Sequence, residues 1–240
     1  MENSYTIYPL RVGTLLRPKD NSPGATDLTL SEDPIIAYYI EGNGHKIMVD
    51  TGGPAPDGIR WLPYWRNRGE TVPEALRELG VDISEIDTVI LTHMHWDHGG
   101  NTHLFNNAEF YIQKREFDYW SKPENNENSD FEGSTVFNPS YHFLDGDTEI
   151  LPGISVILAA GHSPGMQCVI VDTEEGKYSI LGDLIIRFFH WEEEPRLLID
   201  LGFDTETYNS FVEKVDAIGG KILPGHDPDV FTRQRTYPAK

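Results

Sequence analysis

Thr92-His93-Met94-His95-Trp96-Asp97-His98-Gly99-Gly100 sets three imidazoles and a carboxylate within six consecutive residues, directly after the apolar run Thr88-Val89-Ile90-Leu91. Neither a core nor a turn calls for so many ligating groups. The spacing is not that of His-Glu-x-x-His, which puts two imidazoles one helical turn apart. Here a period of two places His93 and His95 on one side of an extended segment, with Asp97 continuing that parity and His98 breaking it. One short peptide thus offers ligands in two directions, which suits two metal ions about 3.5–4 Å apart better than one.

Three further candidate ligands stand at or just past the ends of other apolar runs. His162 lies in Gly161-His162-Ser163-Pro164-Gly165 after residues 154–159, Asp183 closes Leu181-Gly182-Asp183, and His226 lies in Pro224-Gly225-His226-Asp227 after residues 221–223. Each is flanked by glycine, which permits close backbone approach. Each follows a predicted strand, where sheet folds gather their sites. The remaining histidines His45, His103 and His142 read as surface residues, and His190 as a structural residue or a polar group near the site.

The rest of the chain reads as sheets with helical cover. Apolar residues at 35–40 and 46–49 flank Glu41-Gly42-Asn43-Gly44-His45, a hairpin connection that leads on to Asp50-Thr51-Gly52-Gly53. A helix is predicted over residues 72–79, capped by Thr71, opened by Pro73 and stopped by Gly80, with a short helix near 84–86. Residues 109–113 read as a strand and 115–120 as a helix start. Strands at 154–159, 167–172 and 178–181 follow, the last two joined by Thr173-Glu174-Glu175-Gly176. Tyr208, Phe211, Val212, Val215 and Ile218 recur at helical spacing before Gly219-Gly220. Residues 54–69, with Trp61, Tyr64 and Trp65, read as cover over a pocket or over the core. Residues 122–138, rich in Asn, Glu, Ser and Pro, read as a surface excursion. Hairpin strands followed by alternating strands and helices predict an α/β fold of helix-covered sheets, in one domain spanning residues 1–240.

Charge narrows the partners. With 39 acidic against 19 basic residues the formal net charge is −20, which argues against nucleic acid. The same field repels anions at long range, although bound divalent metals reverse its sign locally, so the expected substrate is a small neutral or weakly charged molecule. Met1–Tyr5 carries no basic region followed by an apolar stretch, so no secretory signal is expected. No run approaches the roughly 18 apolar residues of a membrane span. The single cysteine, Cys168 in Gln167-Cys168-Val169-Ile170-Val171, reads as core packing. A cytoplasmic protein is expected, and a homodimer is compatible with these features.

The motif His93-x-His95-x-Asp97-His98, followed in order by His162, Asp183 and His226, resembles the metallo-β-lactamase superfamily from Val49-Asp50-Thr51-Gly52 to Gly225-His226-Asp227. By length, by Gly161-His162-Ser163-Pro164-Gly165 and by Gly225-His226-Asp227 it is most similar to the N-acyl-homoserine-lactone lactonases. The resemblance implies an αββα four-layer sandwich with the metals at one edge. It implies that His93, His95 and His162 hold one ion and that Asp97, His98 and His226 hold the other. Asp183 then bridges the two ions together with a hydroxide, and Asp50 orients a ligand histidine from behind. Ligand type favours two zinc ions, with manganese, iron or cobalt also accepted by mixed nitrogen and oxygen sites. Two positions depart from the group. Ile186 stands three residues after Asp183, where these lactonases usually carry tyrosine, and Met166 stands where many have histidine.

The function implied is a dinuclear metal-dependent hydrolase that opens a lactone or related ester, a quorum-quenching chemistry. One metal polarises the carbonyl, the bridging hydroxide attacks, the second metal steadies the leaving alkoxide, and Asp97 shuttles a proton as the catalytic side chain. Ile186 leaves the choice of substrate open. A mononuclear iron persulfide dioxygenase would fill the first site alone. A glyoxalase II-like thioesterase is disfavoured because fourteen residues follow His226, too few for a helical substrate-binding domain. Nuclease activity is disfavoured by the charge, and a non-enzymatic binding protein by the full bridging set.

Overall fold

The computed structural model describes residues 4–18, 26, 29–58, 63–126, 131, 134–192 and 205–239. Trp61 lies outside these residues. Two sheets carry the fold. In the first, β1 (Tyr5–Pro18), β2 (Leu30–Gly42), β3 (His45–Val49), β4 (Tyr64–Trp65), β5 (Thr88–Ile90), β6 (Glu109–Gln113) and β7 (Tyr141–Leu144) take the order β4-β1-β2-β3-β5-β6-β7. In the second, β8 (Thr148–Leu151), β9 (Ile154–Leu158), β10 (Gln167–Thr173), β11 (Gly176–Gly182) and β12 (Lys221–Pro224) take the order β12-β11-β10-β9-β8. The described helices are α1 (Val72–Glu78), α2 (Trp96–Gly99), α3 (Lys114–Trp120), α4 (Pro123–Asn126), α5 (Phe188–Glu192), α6 (Thr205–Ala217) and α7 (Asp229–Arg233).

The period of two divides the apolar strands between two cores. Along β2, Ile36, Tyr38 and Ile40 enter the core shared with the second sheet, while Ile35, Ala37 and Tyr39 enter the core on the other face. Ile47 and Val49 against Met48, and Ile90 against Val89, repeat the division on β3 and β5. A strand buried on both faces needs a nearly continuous apolar run, which is what residues 35–40 supply. Val72, Ala75 and Leu76 of α1, with Trp120 of α3, cover the outer face of the first sheet. Phe211 and Val215 of α6 join the core of the second, against β9. The layers therefore run helix, sheet, sheet, helix: the αββα sandwich of the metallo-β-lactamase fold.

Local signals act as predicted at several points. The β2–β3 hairpin turns through Asn43 and Gly44, both at positive φ of 52° and 84°. Thr71 caps α1 and also forms a capping box with Glu74, and Gly80 follows at φ 76°. Four strands, β1, β4, β7 and β8, are not assigned from the sequence. β7 and β8 are the edges of their sheets, and most of their residues are only partly buried or exposed. With one neighbour missing, such strands need no strong apolar alternation.

Two expectations are corrected. Residues 122–138 are not simply a surface excursion, because Val136 is fully buried and a Cβ at Gly99 would lie 2.4 Å from its side chain. Nor is the histidine segment extended beyond His95. It turns into α2, with the Gly99 amide donating to the His95 carbonyl at 2.9 Å, so Asp97 does not share the direction of His93 and His95. Cys168 is buried in the core, and its thiol is pushed up by burial.

Replacing Thr71 by Ala should cost about 1 kcal/mol through loss of the cap, and Phe211→Ala about 3–5 kcal/mol through the cavity left beneath α6. Urea unfolding of the two variants checks both magnitudes and their order.

Candidate metal centre

Strand direction gathers the candidate ligands. β3 and β5 are parallel, so Asp50 after β3 and His93 after β5 leave the same edge of the first sheet. In the second sheet β9 and β11 both run antiparallel to β10, and β12 runs parallel to β11. His162, Asp183 and His226 therefore leave one edge as well. The two edges meet, and all seven side chains form two groups. His93, His95 and His162 make one, and Asp97, His98, Asp183 and His226 the other, with ligand atoms in each within 4.8 Å of one another.

The first group is three imidazoles. His95 Nδ1 and His162 Nε2 are 3.0 Å apart, and His93 Nδ1 lies 3.0 Å from Thr92 Oγ1, which turns His93 Nε2 inward. In the second group, Asp183 Oδ1 stands 2.9 Å from His226 Nε2 and 3.1 Å from His98 Nε2, and Asp97 Oδ2 lies 3.6 Å from His226 Nε2. The other oxygen of Asp183 is 3.6 Å from His162 Nε2, so this one carboxylate touches both groups. Close packing of the backbone permits it. Gly182 adopts φ 52°, and a Cβ at Gly225 would lie 2.7 Å from Asp183 Oδ1.

The donor set fits divalent metal ions. His93 Nε2 is buried without a hydrogen-bond partner among the described residues, and His98 Nε2, His226 Nε2 and Asp183 Oδ1 crowd around one space, an arrangement costly for polar atoms unless an ion satisfies them. His226 Nδ1 faces the Pro34 carbonyl at 2.8 Å and donates to it, which turns Nε2 toward Asp183. Burial and neighbouring imidazoles hold the His93 ring far below its ordinary range, and burial pushes His95 down to about 3 and His162 to about 4. All three rings are neutral at neutral pH, the form a metal ion requires. The second group is anionic instead. Burial opposes charge on His98, yet Asp183, Asp97 and Asp50 outweigh it and raise this ring well above its usual range. Burial likewise acts against the Asp183 charge, and His226 and His98 overcome it, holding the carboxyl well below its ordinary value. Several carboxylates in a dry site call for positive charge.

Supporting groups aim the ligands. Asp50 Oδ2 accepts from His98 Nδ1 and from Thr92 Oγ1, both at 2.8 Å, and Oδ1 accepts from the Thr92 amide at 2.8 Å. Thr51 and Asn101 clamp α2 from the other side, the Thr51 amide donating to the His98 carbonyl at 2.6 Å and Asn101 Nδ2 to the Thr51 carbonyl at 3.0 Å. Tyr64 donates to the Pro54 carbonyl at 3.0 Å and its ring meets Trp96 edge-on at 5.0 Å, so this described part of residues 54–69 covers the core beside the site.

Sequence reasoning missed a charged cluster next to these ligands. Asp33, fully buried, accepts from Arg17 Nε at 2.9 Å, from Ser31 Oγ at 2.7 Å and from Arg187. The cluster adjoins Pro34, whose carbonyl holds His226, and Ile186, whose carbonyl accepts the His226 amide at 3.0 Å. Two cations against one anion soften the negative field here. No local signal betrays it, since these residues are far apart in the chain. His190 is buried in α5 against Phe189, and neither it nor His45, His103 or His142 joins the two groups.

The metallo-beta-lactamase superfamily profile matches residues 31–229. An N-acyl homoserine lactonase of Bacillus cereus is 26% identical over 210 residues, 81% of each chain. Among solved structures, a B. thuringiensis AiiA mutant with N-decanoyl-L-homoserine bound at its active site superposes with TM-score 0.83 and 22% identity, covering 99% of both chains. AidC, a dizinc quorum-quenching lactonase in complex with a product, gives TM-score 0.70 and 18% identity, covering 95% of this chain and 90% of that one.

Asp50→Ala should weaken metal binding about 10–100-fold by freeing His98 and Thr92, measured by competition with a chromophoric chelator. His142→Ala, on an exposed edge strand, should leave the affinity unchanged.

Proposed function

This chain belongs to the metallo-β-lactamase superfamily, and we propose that it is a lactone hydrolase working with two zinc ions at the paired groups. The observation that carries the proposal is the shared carboxylate: Asp183 stands within 3.6 Å of imidazoles from both groups. A single-iron oxygenase has no need of the second group, with its two carboxylates. The relatives named as N-acyl homoserine lactonases and the dizinc neighbour support the substrate class and the metal.

In this reading His93, His95 and His162 hold one ion, Asp97, His98 and His226 hold the other, and Asp183 lies between them. Bound divalent ions supply Lewis acidity at the carbonyl, a water-derived nucleophile at neutral pH and charge stabilisation for the departing alkoxide. The chain supplies the rest. The buried neutral imidazoles of His93, His95 and His162 keep their lone pairs available for metal rather than for protons. Asp97 has the more exposed of the two carboxylates, with its side chain 10% accessible against 7% for Asp183. It takes the proton released as the nucleophile attacks and returns it to the ring oxygen as the acyl C–O bond breaks. Asp50 and Thr92 keep His98 and His93 from turning away.

Ile186 shapes specificity by what it lacks. It is buried, aliphatic and without a hydroxyl to offer a substrate carbonyl. Selection among lactones then falls to the shape of the pocket, and the preferred substrate is neutral or weakly charged. Action on acyl-homoserine lactones in the cytoplasm would make the protein a quorum-quenching enzyme.

Metal quantification paired with hydrolysis of a panel of lactones, thioesters and phosphodiesters tests the proposal. We expect two zinc ions per chain, lactone turnover that a chelator removes and zinc restores, and a fall of about 10²–10⁴ in kcat for Asp97→Asn. Turnover of phosphodiesters alone, or one iron per chain, would overturn it.

A further inference from the structure

Glu116 is a fully buried carboxylate on α3 that belongs to neither ligand group. Its two oxygens accept four hydrogen bonds. Oε1 accepts from the Met94 amide at 3.0 Å and from Trp120 Nε1 at 2.8 Å. Oε2 accepts from Ser163 Oγ and from the Gly165 amide, both at 2.8 Å. Met94 sits between His93 and His95, while Ser163 and Gly165 follow His162. One side chain therefore grips both peptides that deliver the three-histidine group.

Burial raises the Glu116 pKa above its ordinary value, and the bonds from Ser163, Gly165, Met94 and Trp120 oppose that rise in part. Two of the partners are backbone amides and a third is an indole, none of which can accept a proton. A protonated acid would lose part of this set, so the carboxylate is the form the surroundings suit. Geometry leaves little slack around it, since a Cβ at Gly165 would lie 2.2 Å from the Glu116 amide nitrogen. The segment after His162 thus rests directly on α3. Fold stability alone would ask only that α3 pack on its sheet, which Trp120 and neighbouring apolar groups achieve. A buried charge is an expensive way to add to that packing.

We propose that Glu116 is a positioning residue for the three-histidine half of the centre, tying residues 93–95 to residues 161–165 at the spacing where His93, His95 and His162 converge. The proposal rests on the reading that this half holds a metal ion. It requires that loss of the clamp loosens one ion and spares the other, because Asp97, His98 and His226 are not held through Glu116.

Glu116→Gln keeps the size but turns two donors of its own toward groups that also donate. Ser163→Ala removes one bond on the His162 side alone, and Lys114→Ala, exposed on the same helix, serves as control. Each protein is loaded with zinc, challenged with graded chelator and analysed for ions retained per chain. Cobalt-loaded samples give absorption spectra, and metal-free samples give melting temperatures. We expect Glu116→Gln to hold one ion like wild type and the other about 10–100-fold more weakly, with an altered cobalt spectrum. Ser163→Ala should fall between, and Lys114→Ala should match wild type. Two ions retained with wild-type affinity in Glu116→Gln would overturn the proposal, as would equal weakening of both ions. Should Glu116→Gln fail to fold, wild-type retention by Ser163→Ala would overturn it. Wild-type protein that binds no second ion would instead overturn the dinuclear reading, so the two failures are distinguishable.

Discussion

Asp183 is a carboxylate taken out of water and set between imidazoles from two sheets. Burial of such a charge costs several kcal/mol unless close partners offset it. His226 and His98 do so at 2.9 and 3.1 Å, and the opposite oxygen reaches toward His162. Much of the second group is arranged around this point. Gly182 and Gly225 let the backbone approach it, Asp50 turns His98 toward it, and the Pro34 carbonyl turns His226 toward it.

That arrangement is possible only because the sheets bring the right strand ends together. β3 and β5 point one way in the first sheet, and β9, β11 and β12 share a direction in the second. Antiparallel hairpins alone would send alternate ends to opposite edges. The parallel pairs, with helices as crossovers, put successive C-terminal ends side by side. Apolar residues on both faces of β2, β3 and β5 give the sheet two cores, and the rigidity of that packing holds a centre whose ligands come from loops.

The centre has two electrostatic halves. Three neutral imidazoles face a group with two carboxylates, backed by Asp50 on one side and by the Arg17–Asp33–Arg187 cluster on the other. A chain with a formal charge of −20 thereby keeps a local site whose donor set fits positive ions.

Much of this was legible in the chain itself. The density of ligating residues at 93–98, the glycines beside His162, Asp183 and His226, the continuous apolar run of residues 35–40 and the caps of residues 71–80 are local facts with local causes. Local chemistry therefore determined the ligand types, the sheet character and the family resemblance. The edge strands β7 and β8 left no mark, because most of their residues are only partly buried or exposed. The helical turn at Trp96–Gly99 reversed the parity expected of Asp97, because contacts with Thr51, Asn101 and Val136 decide that conformation. Glu116, Asp33, Arg17 and Arg187 look like ordinary surface charges in the chain, and partners remote in sequence help to draw them inward. Only the tertiary structure could decide which charges are buried and which ligands share an ion's space, because burial and convergence depend on residues remote in sequence and adjacent in space.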